Sequence, residues 1–441
     1  MVGSAATIFG DVIAVKHHPL LPGPEASEFL WASGIEDTFV PQTRPGQRAL
    51  DEYQLMGHYE HWREDLDLAR DLGVRALRWG IPWYRVEKLP GEFDWSWTDQ
   101  VIPYMVEELK INPILDLMHY GCPFWLRREF ASDEYPQAVA SYAKSVAERY
   151  KGLVRWYTPL NEPLVNALFC GKRGLWPPYL RGEGGYIRVL LQLAKGIVRT
   201  VEAIKEVDPG ALMVHVEATG LSRAARADLH VLAVEDQRRG YLAFDLISGR
   251  VDHDHPLFTW LVRNGAGPDE LRDLARNRVP LDVIGLNFYP QWSTQQLSVD
   301  RNGRLRYRAV EQDGAGFEHL IRDYQTRYDA PVMITETSAR GSVEVRERWL
   351  DASMAAIRRL RADGVPVLGY TWFPMFTMID WKYRLGRRPL KDYRLDLGLY
   401  KIQDEGPRWK ATHLVERFQA YMADPLESVG ELAQALELAS A

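Results

Sequence analysis

The chain has 441 residues, 46% hydrophobic and 26% charged, with a formal net charge of −6 and only two cysteines, Cys122 and Cys170. Both signs of charge are spread along it, which argues against nucleic acid or an anionic membrane as partner, and no apolar run is long enough to span a bilayer. Two cysteines make no disulfide framework, and the first 29 residues lack the basic stretch and long apolar core of a signal peptide, so a cytoplasmic location is expected.

Taken in chain order, short apolar runs alternate with helical patterns from end to end. The predicted strands are 28–33, 74–79, 113–118, 154–159, 212–216, 283–287, 332–335 and 367–372. Between them lie predicted helices at 53–72, 136–150, 186–207 and 343–361. In the first of these, Tyr59, Trp62, Leu66 and Ala69 recur at three- and four-residue steps. Gly73, Gly152, Gly210 and Gly364 follow helices, where a left-handed cap residue is wanted. Strands alternating with helices imply a parallel sheet with right-handed crossovers. Eight such units imply an α/β fold closed into a (β/α)8 barrel, with its chemistry on loops at the strand C-termini. A doubly wound open sheet is the alternative, but no glycine-rich phosphate loop follows the first strand.

The reading divides the chain into an N-terminal extension (1–27), one barrel domain (28–423) and a helical tail (424–441), with a helix over 426–438. The extra length falls in loop insertions at 164–185, 217–281, 291–317 and 374–400.

The expected strand ends carry Glu36, Arg78, His119, Asn161 with Glu162, His215 with Glu217, Asn287 with Tyr289, Glu336, and Trp372. Two glutamates after apolar strands, with an arginine, a histidine and two asparagines beside them, are the set that breaking a glycosidic bond requires. One carboxyl protonates the leaving oxygen. The other attacks the opposite face of the sugar from about 5–5.5 Å away, or activates a water from about 6.5–9.5 Å. A barrel brings strands four and seven together across its mouth. Arg78, by charge, and Tyr289, by hydrogen bonding, are suited to keep Glu336 ionised, and Asn161 to hold a sugar hydroxyl. Fifteen Trp and 21 Tyr exceed the needs of a core and suit the flat faces of sugar rings.

Five ordered segments then carry a resemblance. Thr158-Pro-Leu-Asn-Glu-Pro163 resembles the T-x-N-E-P segment of family-one glycoside hydrolases, and Ile334-Thr-Glu-Thr337 their I-T-E-N segment. Leu77–Trp83 resembles their strand-two segment, Met118-His-Tyr-Gly-Cys-Pro-Phe-Trp125 the Y-H-W-D-L-P-x-W stretch, and Gly285–Tyr289 the G-x-N-Y-Y stretch. The resemblance runs from Phe29 to about Trp409. It implies a retaining exo-β-glycosidase, β-glucosidase-like, with Glu162 as acid/base and Glu336 as nucleophile. Arg78 and Tyr289, supported by Asn287, would orient Glu336. His119 and Asn161 would hold sugar hydroxyls, and Trp372 would form the aromatic floor. It implies no cofactor, a small carbohydrate or glycoside as substrate, and leaves room for a homo-oligomer.

Two departures stand out. The family's Q-x-E-G is replaced by Trp31-Ala-Ser-Gly-Ile-Glu-Asp37, so its glutamine is gone and Glu36 or Asp37 stands nearby. After strand eight, W-S-L-x-D-N-F-E-W becomes Trp372-Phe-Pro-Met-Phe-Thr-Met-Ile-Asp-Trp381, leaving Asp380 as the substitute for the late glutamate. Glucose or galactose specificity therefore does not carry over.

Other candidates are weaker. His253 and His255 offer two ligands on one loop, but zinc needs three converging ones, so no metal is expected. Cys122 lies near His119 without a third orienting group, as a packed rather than nucleophilic thiol. Trp83, Trp125, Trp176 and Trp292 line outer sugar subsites or wedge loops against the barrel. The run Arg384, Arg387, Arg388 and Lys391 reads as a solvated loop, or as a receiver of an acidic sugar. The alternatives to hydrolysis are a catalytically silent carbohydrate-binding barrel and a transglycosidase.

Overall fold

The computed structural model describes residues 29–424. Eight strands, β1 (Leu30–Gly34), β2 (Ala76–Gly80), β3 (Asn112–Asp116), β4 (Trp156–Thr158), β5 (Leu212–Ala218), β6 (Val283–Asn287), β7 (Val332–Thr337) and β8 (Val367–Trp372), close into one barrel. Every neighbouring pair is parallel, and β1 is hydrogen-bonded to β8 on one side and β2 on the other. Closure removes the open-sheet alternative.

All eight predicted strands are present, most shifted by a residue or two at an end. They were legible because strands covered on both faces read as nearly unbroken apolar runs: every residue of β2, β3, β6, β7 and β8 is buried. Ala32, Ala76, Ile114, Trp156, Val214, Val216, Val283, Met333 and Leu368 form a cluster of their own, with every strand contributing. This is the side-chain packing that fills a barrel of this kind. Burying each of its larger members stabilises the fold by roughly 1.5–3 kcal/mol.

The outer layer includes α1 (His58–Leu72), α2 (Tyr135–Arg149), α3 (Gly182–Val207), α4 (Gly314–Tyr328), α5 (Val343–Ala362) and α6 (His413–Ala423). Helix α3 buries Ile187, Leu190, Leu191, Ala194, Ile197, Val198, Val201 and Ile204 at helical spacing and packs along α2. The expected helix over 53–72 is two helices. Glu52–Met56 stops at Gly57, whose φ of 72° is left-handed, and α1 starts beyond it. Gly73 and Gly364 take the left-handed conformation and hydrogen-bond back to Arg70 and Arg361. Gly152 is also left-handed, but two residues beyond the α2 cap Tyr150. Gly210 does not take that role: α3 ends on the extended Asp208, whose Oδ1 accepts the Gly210 N–H at 3.0 Å in a side-chain-made turn. Helix α6, not anticipated, packs on α5. The expected extension over 1–27 and the tail helix over 426–438 lie outside the described residues.

The insertions build the rim. Ser222–Ala224, Gln295–Val299 and Leu305–Ala309 form a three-stranded sheet drawn from two of them. In the last insertion Met378–Ile379 pairs with Arg394–Leu395 around a 3-10 helix, Trp381–Leu385. Arg384 on that helix is buried and donates to the carbonyls of Val40, Pro41 and Arg48 and to Gln47 and Tyr179. It is therefore a strap between loops, not an open receiver of an acidic sugar. Among the described residues no helix is long and apolar enough to cross a membrane.

Candidate active site

The C-terminal ends of the strands open into a cavity of about 900 Å³. Glu162, four residues past β4, and Glu336, inside β7, both line it, together with Glu36, His119, Tyr120, Asn287 and Tyr289.

Glu336 is held at both oxygens. Arg78 Nη1 lies 2.5 Å from Oε1, and the Tyr289 hydroxyl donates to Oε2 at 2.7 Å. Arg78, on β2, is 2% exposed, and its Nη2 also binds Asp116 Oδ2 and Asn161 Oδ1, each at 3.0 Å. Burial works against the guanidinium, but the Glu336 and Asp116 carboxylates outweigh it and hold the proton on Arg78. A buried arginine engaging two carboxylates keeps a fork geometry that a lysine cannot reproduce.

Glu162 has a different environment. Asn287 Nδ2 donates to Oε1 at 2.9 Å, and the Tyr120 hydroxyl donates to Oε2. The Asn287 amide is oriented by Thr335 Oγ1, which donates to its Oδ1 at 2.7 Å. Burial, reinforced by the nearby Glu336 charge, pushes Glu162 up to about 7 against the pull of these hydrogen bonds. The backbone at Glu162 has φ 47° and ψ 68°, a left-handed conformation that non-glycine residues adopt rarely and that clusters at functional sites. Three contacts hold it there. The Glu162 N–H donates to Val216 O, Pro163 opens the short helix Pro163–Asn166, and Glu217 accepts the Leu164 N–H with both carboxylate oxygens.

Around this pair, His119 Nδ1 faces Asp37 at 2.9 Å and Asp116 at 3.2 Å. Burial opposes the imidazolium, yet Asp37, Asp116 and Glu36 together hold His119 well above its ordinary value. Asp37 reaches this position because Gly80 on β2 has no side chain; a Cβ there would lie 1.5 Å from Asp37 Oδ2. Asp37, Asp116 and His119 also bring ligand atoms within 4.8 Å of one another. Arg78 already supplies a cation at Asp116, so the trio reads as an ion-pair network rather than a metal centre.

The remaining predicted residues divide. Glu36 lines the cavity, accepts from the Thr38 hydroxyl and backbone, and is pushed up to about 7 by burial. Asp380 lines it too, paired with Lys382 Nζ at 3.1 Å. Asn161 is fully buried with its amide spent on Arg78, His119 and Tyr120, so it has no free edge for a sugar hydroxyl. Trp372 is also fully buried and gives its indole N–H to Leu397 O; the tryptophans bordering the cavity are Trp292 and Trp381. Trp125 bonds Glu87 O and packs edge-on to Trp83, away from the cavity. His215 turns to Pro280 O, and burial pushes it down to about 4. His255 turns inward to Asp245, leaving His253 exposed among acidic neighbours. Cys122 is buried and its thiol is pushed up, the opposite of an activated nucleophile.

Sequence reasoning missed Tyr120, Asp116 and the close packing at Gly34. A Cβ on Gly34 would lie 2.4 Å from Phe373 Cδ2, so the Phe373 ring fills the space beside this strand position.

Glycosyl hydrolase family 1 matches the chain over residues 33–234. Beta-glucosidase A of Thermotoga maritima is 24% identical over 375 residues, covering 75% of this chain and 80% of that protein. Beta-glucosidase 47 of Arabidopsis thaliana is 22% identical, covering 80% and 74%. Phospho-cellobiase of Klebsiella oxytoca is 21% identical, covering 79% and 82%. Among solved structures, the family 1 β-glucosidase of Thermotoga maritima superposes with a TM-score of 0.76 at 19% identity, over 90% of this chain and 97% of that one. The same enzyme in complex with isofagomine lactam superposes equally well at 20% identity.

Barrel, cavity and relatives define a glycoside hydrolase acting on β-glycosides. Residues 33–234 match the glycosyl hydrolase family 1 model, and the chain is similar over most of its length to β-glucosidases and a phospho-cellobiase at 21–25% identity.

Proposed function

We propose that the protein hydrolyses small β-linked glycosides from their non-reducing end, with retention, by double displacement. Glu162 protonates the glycosidic oxygen as Glu336 attacks the anomeric carbon, giving a covalent glycosyl-enzyme and the free aglycone. Glu162, now a carboxylate, takes a proton from water, which attacks the anomeric carbon and releases Glu336. The observation that carries this is the contrast between the two carboxyls: Glu336 receives a guanidinium and a phenol, whereas burial and the neighbouring negative charge lift Glu162 to about 7. Environments that separate two carboxyls in this way support Glu162 as the acid and Glu336 as the nucleophile.

Arg78, Tyr289 and Asn287 are positioning residues in this reading. Glu36 offers a polar edge to the sugar and Trp381 a ring face, while His119, with both ring nitrogens engaged, lines the wall between them. Asp380 stands at the same wall. The relatives named as β-glucosidases, and a neighbour bound to isofagomine lactam, support a carbohydrate substrate.

Turnover on aryl β-glucosides, galactosides, mannosides, xylosides and uronides tests the reading. Wild type should act on at least one, and Glu162→Ala and Glu336→Ala should each lose most activity. Azide should rescue Glu336→Gly with the inverted glycosyl azide. Wild type inert across the panel, with sugar still bound, would return the silent-barrel alternative; products elongated by sugar transfer would indicate a transglycosidase.

A further inference from the structure

The cavity contains a hydroxyl that the mechanism above does not use. Tyr120 lines it, its OH donates to Glu162 Oε2, and it is 2% exposed. Its ring is boxed by His119, Trp176 and Trp381, with ring centres 4.7, 5.1 and 5.5 Å away. The direction of its one proton is set from behind. Asn161 Oδ1 is occupied by Arg78 Nη2, which turns Nδ2 toward the Tyr120 oxygen at 3.2 Å. With Asn161 donating to the phenol oxygen, the phenol proton is left to point at Glu162. The backbone agrees: Tyr120 has φ 82° and Glu162 φ 47°, so two non-glycine residues in left-handed conformations meet through one hydrogen bond. Such conformations persist where the surroundings over-determine them.

The family's stretch carries tryptophan where this chain has Tyr120. An indole N–H sits on a different frame from a phenol OH and does not accept a second hydrogen bond. The chain of contacts Arg78–Asn161–Tyr120–Glu162 is thus tied to this substitution.

We propose that Tyr120 is a positioning residue for the acid/base. Its hydroxyl orients Glu162 Oε2 and stabilises the carboxylate left after proton donation, so proton transfer to a poor leaving group depends on it. The proposal rests on Glu162 being the acid/base.

The test compares wild type with Tyr120→Phe on the best-turned-over sugar, as its 2,4-dinitrophenyl and its phenyl β-glycoside. A dinitrophenolate leaves without protonation and a phenolate does not. In Tyr120→Phe, kcat/KM for the phenyl glycoside should fall tenfold or more, while that for the dinitrophenyl glycoside stays within about threefold. The alkaline limb of the phenyl profile should move to higher pH, because the hydrogen bond favours ionised Glu162. Equal loss on both substrates, or an unmoved limb, overturns the proposal. Should Tyr120→Phe fail to fold, 3-fluorotyrosine at position 120 keeps the test: its more acidic phenol should move the limb to lower pH, and no movement overturns the proposal. Glu162→Ala is the control. If it shows no preference for the activated substrate, the assignment of Glu162 fails; if it does and Tyr120→Phe does not, only the role of Tyr120 fails.

Discussion

The close packing of Gly34 against Phe373 gives a quantitative prediction. Gly34 is buried at the end of β1, and a Cβ there would stand 2.4 and 2.7 Å from Phe373 Cδ2 and Cε2 and 3.2 Å from Arg78 Cβ. Real carbons approach only to about 3.5–4.0 Å, so Gly34→Ala forces the ring to move by about 1 Å. The ring is 1% exposed and has no open side to move toward. Overpacking of this kind costs typically 1–3 kcal/mol. The displaced ring also presses on Arg78, whose guanidinium carbon lies 5.4 Å from the Phe373 ring centre and whose Nη1 holds Glu336. Gly34→Ala should therefore lower the urea midpoint with no change in slope, and reduce kcat/KM through kcat rather than KM. Phe373→Leu, which trims the ring, should recover most of both losses when combined with Gly34→Ala. The assay is a double-mutant cycle read by urea unfolding and by turnover of an aryl β-glycoside. A Gly34→Ala protein as stable as wild type, or a coupling energy below about 0.5 kcal/mol, would refute the steric account of why strand one lacks a side chain here.

Three further outcomes follow from the ionisable groups. With Glu162 held at about 7 by burial and the Glu336 charge, kcat/KM should decline on the alkaline side near that pH in wild type; a profile flat to pH 9 contradicts it as the acid. His215 is buried as the neutral imidazole and pushed down to about 4, so the unfolded chain binds its proton first. Stability should fall as pH drops from about 6.5, the ordinary histidine value, and His215→Asn should flatten that slope in pH-dependent urea melts. Asp245 is fully buried beneath Arg327, Tyr328 and His255; their hydrogen bonds and charge overcome its burial and hold it below the ordinary carboxylate value. Its contribution is present above about pH 4 and lost as pH falls through its folded value. Asp245→Ala should cost about 1–3 kcal/mol at neutral pH, chiefly by removing the carboxylate that accepts from the buried Tyr328 hydroxyl, while the third-exposed Arg327 turns to water, and a loss under about 0.5 kcal/mol in denaturant melts would contradict the burial argument.

What could be read from the chain divides along physical lines. The strands were visible because a barrel strand is buried on both faces, and Val283–Asn287 or Val367–Trp372 shows this without any partner in view. Glu162 and Glu336 were visible because they follow such runs and sit in recognisable segments. What stayed hidden depends on contacts between distant segments. Tyr120 is one more buried tyrosine until the fold brings it to Glu162, 42 residues on. Trp372 looks like a sugar platform until Leu397 is seen capping its indole, and Trp381, nine residues later, takes the cavity wall. The break at Gly57 was hidden for a different reason: apolar spacing on its two sides stays in phase, so the periodicity alone bridges it.

The buried Arg384 strap bears on how such an entrance could be rebuilt. One guanidinium fastens the backbone at Val40, Pro41 and Arg48 to Tyr179, so three excursions from different strands share a single rivet. Loops on a barrel are usually regarded as interchangeable parts. Here they are not independent: a graft that replaces the 381–388 stretch alone would unfasten the other two. New specificity would have to be transplanted as a set.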